Sequence, residues 1–296
     1  MKREISVAMK VFLVALLLAG NLSWAAQQYT VTGLVLKVDP SHGIFTVSCN
    51  SIPGYMEAMV MTFPVRKPET LNGIRPSAIV EFVLHVDTES SYADDIRVRS
   101  FESVEQEPQE AERLKLLQDI ANPGAPVAPL AIGDAVPDVE FTDQNQQRVE
   151  FSQFAGEVVV LTFIYTRCPN PNYCFRLNSN LGRLQKRFPQ HLGRDLVLLS
   201  LVIDPEHDQG KTLTNYANIW RANPQGWHFL TGPLPDIQKT TRLFGMDFWN
   251  GEGVVTHSFH TIVVDRQGKL AANIVGNQFT AQQLGDLVET MLSRQN

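Results

Sequence analysis

Val158-Val159-Val160-Leu161-Thr162-Phe163-Ile164-Tyr165-Thr166-Arg167-Cys168 is the stretch on which the reading of the fold turns. Val158–Tyr165 is nearly continuously apolar, as a strand buried on both faces of a sheet must be. A loop, Pro169-Asn170-Pro171-Asn172, follows Cys168, and Tyr173–Phe188 then carries a helical pattern that includes Cys174. Leu196–Ile203 is a second buried strand. Thr212–Ala222 and Leu234–Phe244 read as helices. Thr261–Asp265 and Ala271–Val275 read as strands around the turn Asp265-Arg266-Gln267-Gly268. Thr280–Arg294 is an amphipathic helix, with Thr280 placed to cap it against Gln283.

This βαβ order, with a late hairpin and a final helix, predicts a thioredoxin-like α/β sandwich over residues 131–296. Upstream, Tyr29 to Phe101 reads as about five short strands: Tyr29–Val38, Ile44–Cys49, Met59–Val65, Ala78–Val86 and Asp95–Phe101. That spacing predicts a small all-β, OB-like barrel over 27–104. Between them lies 105–130. It opens with a charged helical stripe from Glu105 to Ala121 and continues as Asn122-Pro123-Gly124-Ala125-Pro126-Val127-Ala128-Pro129, whose prolines predict a stiff connector. Residues 1–26 carry Lys2, Arg3 and Lys10 before an apolar run and then Ser23-Trp24-Ala25-Ala26. This is the three-part pattern of a secretory signal peptide, with retention as a membrane anchor the alternative. The mature chain is thereby expected outside the cytoplasm, in the periplasm or another extracytoplasmic compartment, and not as an integral membrane protein unless the leader stays.

The 296 residues carry a formal net charge of −6 and no basic block, which argues against nucleic acid as a partner. Three cysteines are too few for a disulfide scaffold. Cys168 and Cys174 lie between a buried strand and a helix start, where the helix dipole favours thiolate. Arg167 and Arg176 push the same way. Two such thiols either form a disulfide or hold a soft cation such as Cu(I).

Phe163-Ile164-Tyr165-Thr166-Arg167-Cys168-Pro169 and Ser200-Leu201-Val202-Ile203-Asp204-Pro205-Glu206-His207-Asp208, followed by His257 eight residues before Asp265, resemble the Sco/SenC family of copper-binding thioredoxin-like proteins. The resemblance implies copper, Cu(I) with Cu(II) also open, held by Cys168, Cys174 and His257. His260 fits that spacing less well, Asp204 is expected to shape the site, and His207 faces solvent. The family's cysteines usually have three residues between them and a proline after the second. Here five intervene, and Phe175 follows. The implied partner is subunit II of cytochrome c oxidase or another periplasmic cuproprotein.

Ser51-Ile52-Pro53-Gly54-Tyr55-Met56-Glu57-Ala58-Met59-Val60-Met61-Thr62-Phe63-Pro64-Val65 resembles the CusF-type periplasmic copper-binding domain. That resemblance implies Met59 and Met61 as thioether ligands, Met56 near a capping position, and Cys49 where the family places a histidine. Cys49 is either a substitute ligand or a buried core residue, and the methionines taken alone are also compatible with core packing. Three functions follow: a Cu(I) metallochaperone in which the connector lets the first domain approach the second, a thiol-disulfide reductase with Cys168 attacking and Cys174 resolving, or copper sequestration.

Overall fold

The structure is a computed structural model, and it describes residues 27–87, 90–99, 128–246, 248–251 and 254–293. The expected leader, the helical stripe at 105–121 and the proline-rich stretch up to 127 lie outside the described residues. Element labels below run over the described elements only.

The first unit is a five-stranded antiparallel sheet. Its strands are β1 (Gln27–Asp39), β2 (Ile44–Cys49), β3 (Val60–Pro64), β4 (Ile79–Val86) and β5 (Ser91–Val98), in the order β3-β2-β1-β4-β5. A single parallel bridge, Val65 to Ala93, links the two edges. Phe45, Phe63 and Phe82 pack ring against ring with centroids 5.0–5.9 Å apart and fill the core with Val31, Val35, Val47 and Leu84. Strand β5 begins four residues before the expected start. Asp94-Asp95 has the composition of a turn, yet here it forms an irregularity within the strand. Asp95 takes φ +47, the register against β4 shifts at Glu81/Val83, and Arg97 pairs with the Asp95 carboxylate at 2.7 Å.

The second unit is a seven-stranded mixed sheet in the order β14-β13-β8-β9-β10-β6-β7. It comprises β6 (Glu140–Asp143), β7 (Arg148–Glu150), β8 (Val158–Ile164), β9 (Leu196–Val202), β10 (Trp227–Thr231), β13 (His260–Val264) and β14 (Leu270–Val275). Strands β8, β9 and β10 run parallel, and β13 lies antiparallel to β8. Every residue of β8, β9 and β13 is buried, as the apolar runs predict. Helices α1 (Arg176–Arg187), α2 (Gly210–Trp220), α3 (Leu234–Leu243) and α4 (Ala281–Leu292) complete a thioredoxin-like layering. Thr280 and Gln283 form the reciprocal cap expected of them, at 3.1 and 2.9 Å. Strands β6, β7 and β10 escape the periodicity reading, as does a separate hairpin, β11 (Phe248–Gly251) with β12 (Val254–His257). They are short, and three- to five-residue strands give period-2 alternation too little length to register.

The two units are docked, which differs from the expectation of an approach across a connector. Strand β1 is apolar on both faces. Val31 and Val35 enter the first core, whereas Leu34 and Leu36, 0 and 1% exposed, join the core of the second unit. Polar contacts on α4 fix the arrangement. Ser48 Oγ donates to Asp286 at 2.6 Å, Arg187 donates to the same carboxylate at 2.7 Å, and Gln283 Nε2 donates to the Ser48 carbonyl at 3.2 Å and to Asn50 Oδ1 at 3.1 Å. Gln282 Nε2 reaches the Ala58 carbonyl at 3.0 Å, and Ser77 Oγ reaches the Asn273 carbonyl at 3.3 Å. Leu36→Ala should therefore cost about 2–5 kcal/mol, the range for emptying a buried leucine site. Urea denaturation of the full chain measures it. A freely tethered first unit would leave Leu36 exposed and show a change below ~0.5 kcal/mol.

Candidate metal centre

The loop that leaves β8 is pinned before it reaches the first thiol. Asp208, fully buried, accepts hydrogen bonds from both the Thr166 amide (2.8 Å) and the Thr166 hydroxyl. Burial pushes the Asp208 carboxyl upward, and the Thr166 donors oppose that shift. One residue on, Arg167 donates to Asp204 at 2.7 Å, and the His207 ring, half exposed, donates to the other Asp204 oxygen at 2.9 Å. Asp204 thus shapes the site as expected. Arg167 does not act on the thiols as the sequence suggested, because its guanidinium is held by Asp204. Arg176 likewise turns away, to the carbonyls of Gln278 (3.1 Å) and Phe279 (3.4 Å).

Cys168 and Cys174 are free thiols and lie within hydrogen-bonding reach of one another. The five intervening residues are accommodated by a wide turn over Pro171–Phe175, in which Tyr173 leaves helical geometry (φ −104, ψ −109) before α1 begins. Asn170 Oδ1 accepts from the Asn172 amide at 2.9 Å, and Asn277 Nδ2 donates to the Asn172 carbonyl at 2.8 Å. Cys168 is partly exposed, whereas Cys174 is 1% exposed. The hydrogen bond from Cys174 lowers the Cys168 thiol to about 6, against a smaller opposing effect of burial, and the Tyr165 hydroxyl adds to the lowering. The same shared proton, with burial, pushes Cys174 well above the ordinary thiol range. One sulfur is therefore a thiolate at neutral pH, and the other holds the proton.

His257 ends β12 and is 8% exposed. Its Nδ1 lies 2.8 Å from the Ser258 carbonyl, which can only accept, so Nδ1 carries the proton. Nε2 then presents a lone pair, buried and without a hydrogen-bond partner among the described residues. Burial lowers the imidazole to about 4, so it is neutral at pH 7. This is the arrangement metal-binding histidines adopt, with the distal N–H anchored on a carbonyl. The ring stands edge-on to Tyr165 with centroids 6.1 Å apart, and Tyr165 in turn touches Cys168. Among the described residues no group of three His, Cys, Asp or Glu side chains is placed to hold a metal ion. The structure thus brings the two thiols together and puts His257 behind Tyr165, short of a closed three-ligand set. His260 is committed elsewhere, its Nδ1 2.8 Å from Asn273 Oδ1.

In the first unit, Met59 lies directly across from Cys49, whose amide donates to the Met59 carbonyl at 2.9 Å, and Met61 pairs with Val47. Cys49, Met59 and Met61 consequently share one sheet face. Met59 is 47% exposed and lies just outside β3, so it is not a core residue, while Met61 and Met56 pack against the edge of the aromatic core. Cys49 is buried, its thiol directed at the Val47 carbonyl (3.7 Å) and pushed by burial up to about 12. It is thus a protonated core thiol beside two accessible thioethers.

The SCO1/SenC family model matches residues 132–293, more than half of the chain. The chain belongs to the SCO1/SenC family. The family model for the copper-binding periplasmic protein CusF matches residues 28–94, so the SCO1/SenC domain is fused to an N-terminal CusF domain. A relative named for copper binding, from Stutzerimonas stutzeri, is 29% identical over 145 residues, covering 47% of this chain and 69% of its own. Among solved structures, a SCO1/SenC family lipoprotein from Bacillus anthracis is 24% identical, with TM-score 0.49, covering 56% of this chain and 99% of its own. BsSco, described as a member of the Sco family of cytochrome c oxidase assembly proteins, is also 24% identical, with TM-score 0.48, covering 57% and 99%.

Three residues of this SCO1/SenC domain shape the site without having been assigned a role from the sequence. Tyr165 closes the buried strand and looks like one more core aromatic. Asp208 sits in a quoted family stretch, but its partner Thr166 lies 42 residues away. Asn277 carries no sequence signal, since its role depends on a loop carbonyl 105 residues upstream.

Proposed function

We propose that this chain is an extracytoplasmic Cu(I) carrier that takes the metal on Cys168, Cys174 and His257 and passes it to a cuproprotein, with the copper site of cytochrome c oxidase the favoured recipient. The observation that carries this reading is His257, whose anchored Nδ1–H leaves a buried Nε2 lone pair aimed at no protein group among those described. A neutral imidazole together with a thiolate is a donor set for a soft monovalent ion once Tyr165 no longer separates them. Loading requires Tyr165 to yield and Cys174 to lose its proton. Release proceeds by exchange of one thiolate for another, and copper is cargo throughout. The CusF domain supplies a second, softer site on Met59 and Met61, with Met56 alongside and Cys49 joining only if deprotonated. We read its sheet as a small barrel closed through the Val65–Ala93 bridge, and the periplasm as its compartment. Among the described residues no helix is long and apolar enough to cross a membrane.

A second reading, thiol-disulfide reduction, is favoured by one observation. The split between a low Cys168 and a high Cys174 is what an attacking thiol and a resolving thiol need. Anaerobic Cu(I) titration of the full chain against a chromophoric chelator separates the two. The carrier reading expects two equivalents bound, with one lost in Met59→Leu/Met61→Leu. In His257→Ala the C-terminal site should weaken at least tenfold, with thiol-disulfide exchange unchanged. Copper binding that ignores His257, with exchange intact, would favour the reductase.

A further inference from the structure

The two soft-ligand clusters are joined by one short segment whose alternate residues, Asn277, Phe279, Ala281 and Gln283, are buried. At the C-terminal site, Asn277, 3% exposed, holds the carbonyl of Asn172 within the turn between the two cysteines. Arg176, two residues after Cys174, donates to the carbonyls of Gln278 and Phe279. Thr280 and Gln283 lock the start of α4 reciprocally. The Gln283 amide then grips Ser48 and Asn50, the residues on either side of Cys49, and Gln282 grips Ala58, which precedes Met59.

The grips of Asn277, Gln282 and Gln283 each fall on an oxygen within two residues of a candidate ligand, and Arg176, itself two residues from Cys174, ties the segment back to the cysteine turn. Gln283 cannot swing away from Cys49 without also uncapping α4, because its Oε1 is the acceptor for the Thr280 amide. On the other side of the sheet, Ser77 of the CusF domain bonds both the amide and the carbonyl of Asn273, whose side chain holds His260, three residues from His257. The CusF domain therefore rests on both the cysteine arm and the histidine arm of the SCO1/SenC site.

Drawing Cys168, Cys174 and His257 around one ion must displace Tyr165, which touches both His257 and Cys168, and that movement loads the Asn170–Tyr173 turn that the two cysteines flank. The Asn172 carbonyl moves with that turn, and Asn277–Gln283 moves or strains with it. From this we infer that Asn277–Gln283 is a positioning element shared by the two sites, so that Cu(I) on one changes the affinity of the other. The inference rests on the carrier reading given above. Linkage requires the effect to be reciprocal, and couplings of this kind typically amount to 5–150-fold.

The test uses full-length chains and Cu(I) in competition with a chromophoric chelator. The affinity of the N-terminal site is measured with the C-terminal site filled, in the wild type, and with it removed, in Cys168→Ser/Cys174→Ser. The C-terminal affinity is measured likewise with and without Met59→Leu/Met61→Leu. We expect about a tenfold change, equal in the two directions. Gln283→Glu keeps the cap, since a glutamate oxygen also accepts from Thr280, but it faces Ser48 and Asn50 with an acceptor. It should abolish the coupling while leaving each isolated affinity within twofold. Gln282→Ala, at the exposed rim, should halve the coupling or more without affecting folding. Two sites that titrate independently in the wild type, with circular dichroism unchanged among the variants, would overturn the inference and leave the carrier reading standing. A wild type that binds a single equivalent would remove the N-terminal site, and the coupling with it.

Discussion

Cys168→Ser is expected to weaken Cu(I) binding at the C-terminal site by a factor on the order of a thousand, about 4 kcal/mol. The reason lies in how the proton is shared. In the wild type, Cys168 is already a thiolate at pH 7, so the first copper–sulfur bond forms without displacing a proton. A serine hydroxyl is a hard, protonated donor that a soft ion does not select. The remaining sulfur, Cys174, is buried and protonated, and the ion would have to remove that proton to bind at all. Cys174→Ser should weaken binding comparably but by another route, because its hydroxyl can still donate to Cys168 but no longer offers the second soft sulfur. Serine and cysteine differ little in volume, so neither change should unfold the chain, which circular dichroism verifies. A loss of less than tenfold in either variant would show that the thiol pair does not hold the metal.

Iodoacetamide at pH 6 should modify one of the three cysteines, Cys168, at least a hundred times faster than the other two. About half of the Cys168 population is thiolate at that pH, since its thiol is lowered to about 6. An ordinary thiol near 8.5 is thiolate to roughly 0.3%. A less basic sulfur is also a weaker nucleophile, by about tenfold over this interval. The net advantage over a free thiol is therefore about tenfold. Cys174 and Cys49 lack even the free-thiol rate, because both are buried and pushed upward, Cys49 to about 12. The rate should rise with pH about a midpoint near 6, and in Cys174→Ala, which removes the side-chain donor, that midpoint should move upward. Peptide mass mapping locates the adduct. Equal labelling of Cys168 and Cys174, or a wild-type midpoint near 8.5, would contradict the shared-proton arrangement.

Much of the C-terminal architecture is legible in the sequence because it is written in long local patterns. Val158–Ile164 and Leu196–Val202 are wholly buried, as their composition requires, and the Thr280/Gln283 cap sits where the helix starts. The thiols and His257 are legible as candidates through family resemblance, but their physical state is not. The arginine beside Cys168 looks like its activator and is in fact consumed by Asp204, so the lowering falls to Cys174 first, then to the backbone at Asn170 and to Tyr165. The orientation of His257 depends on the Ser258 carbonyl, a backbone group that no side-chain pattern encodes. Met59 reads as one of a single strand face with Met61, Phe63 and Val65, yet it lies beyond the strand end and is open to solvent. Docking is the least legible feature of all. Ser48 and Asp286 lie 238 residues apart, and nothing local to either names the other.

The two-sided character of β1 bears on how this protein can be dissected. Leu34 and Leu36 behave as residues of the SCO1/SenC core although they belong to the CusF chain segment. Expression of residues 131–293 alone would uncover the apolar seat that these leucines fill, together with Asp286 and Gln283 deprived of Ser48. Such a fragment should self-associate as its concentration rises, and its copper stoichiometry would then report on aggregates. Polar replacements on that seat, or a supplied peptide spanning β1 and β2, would be the means of keeping the fragment monomeric.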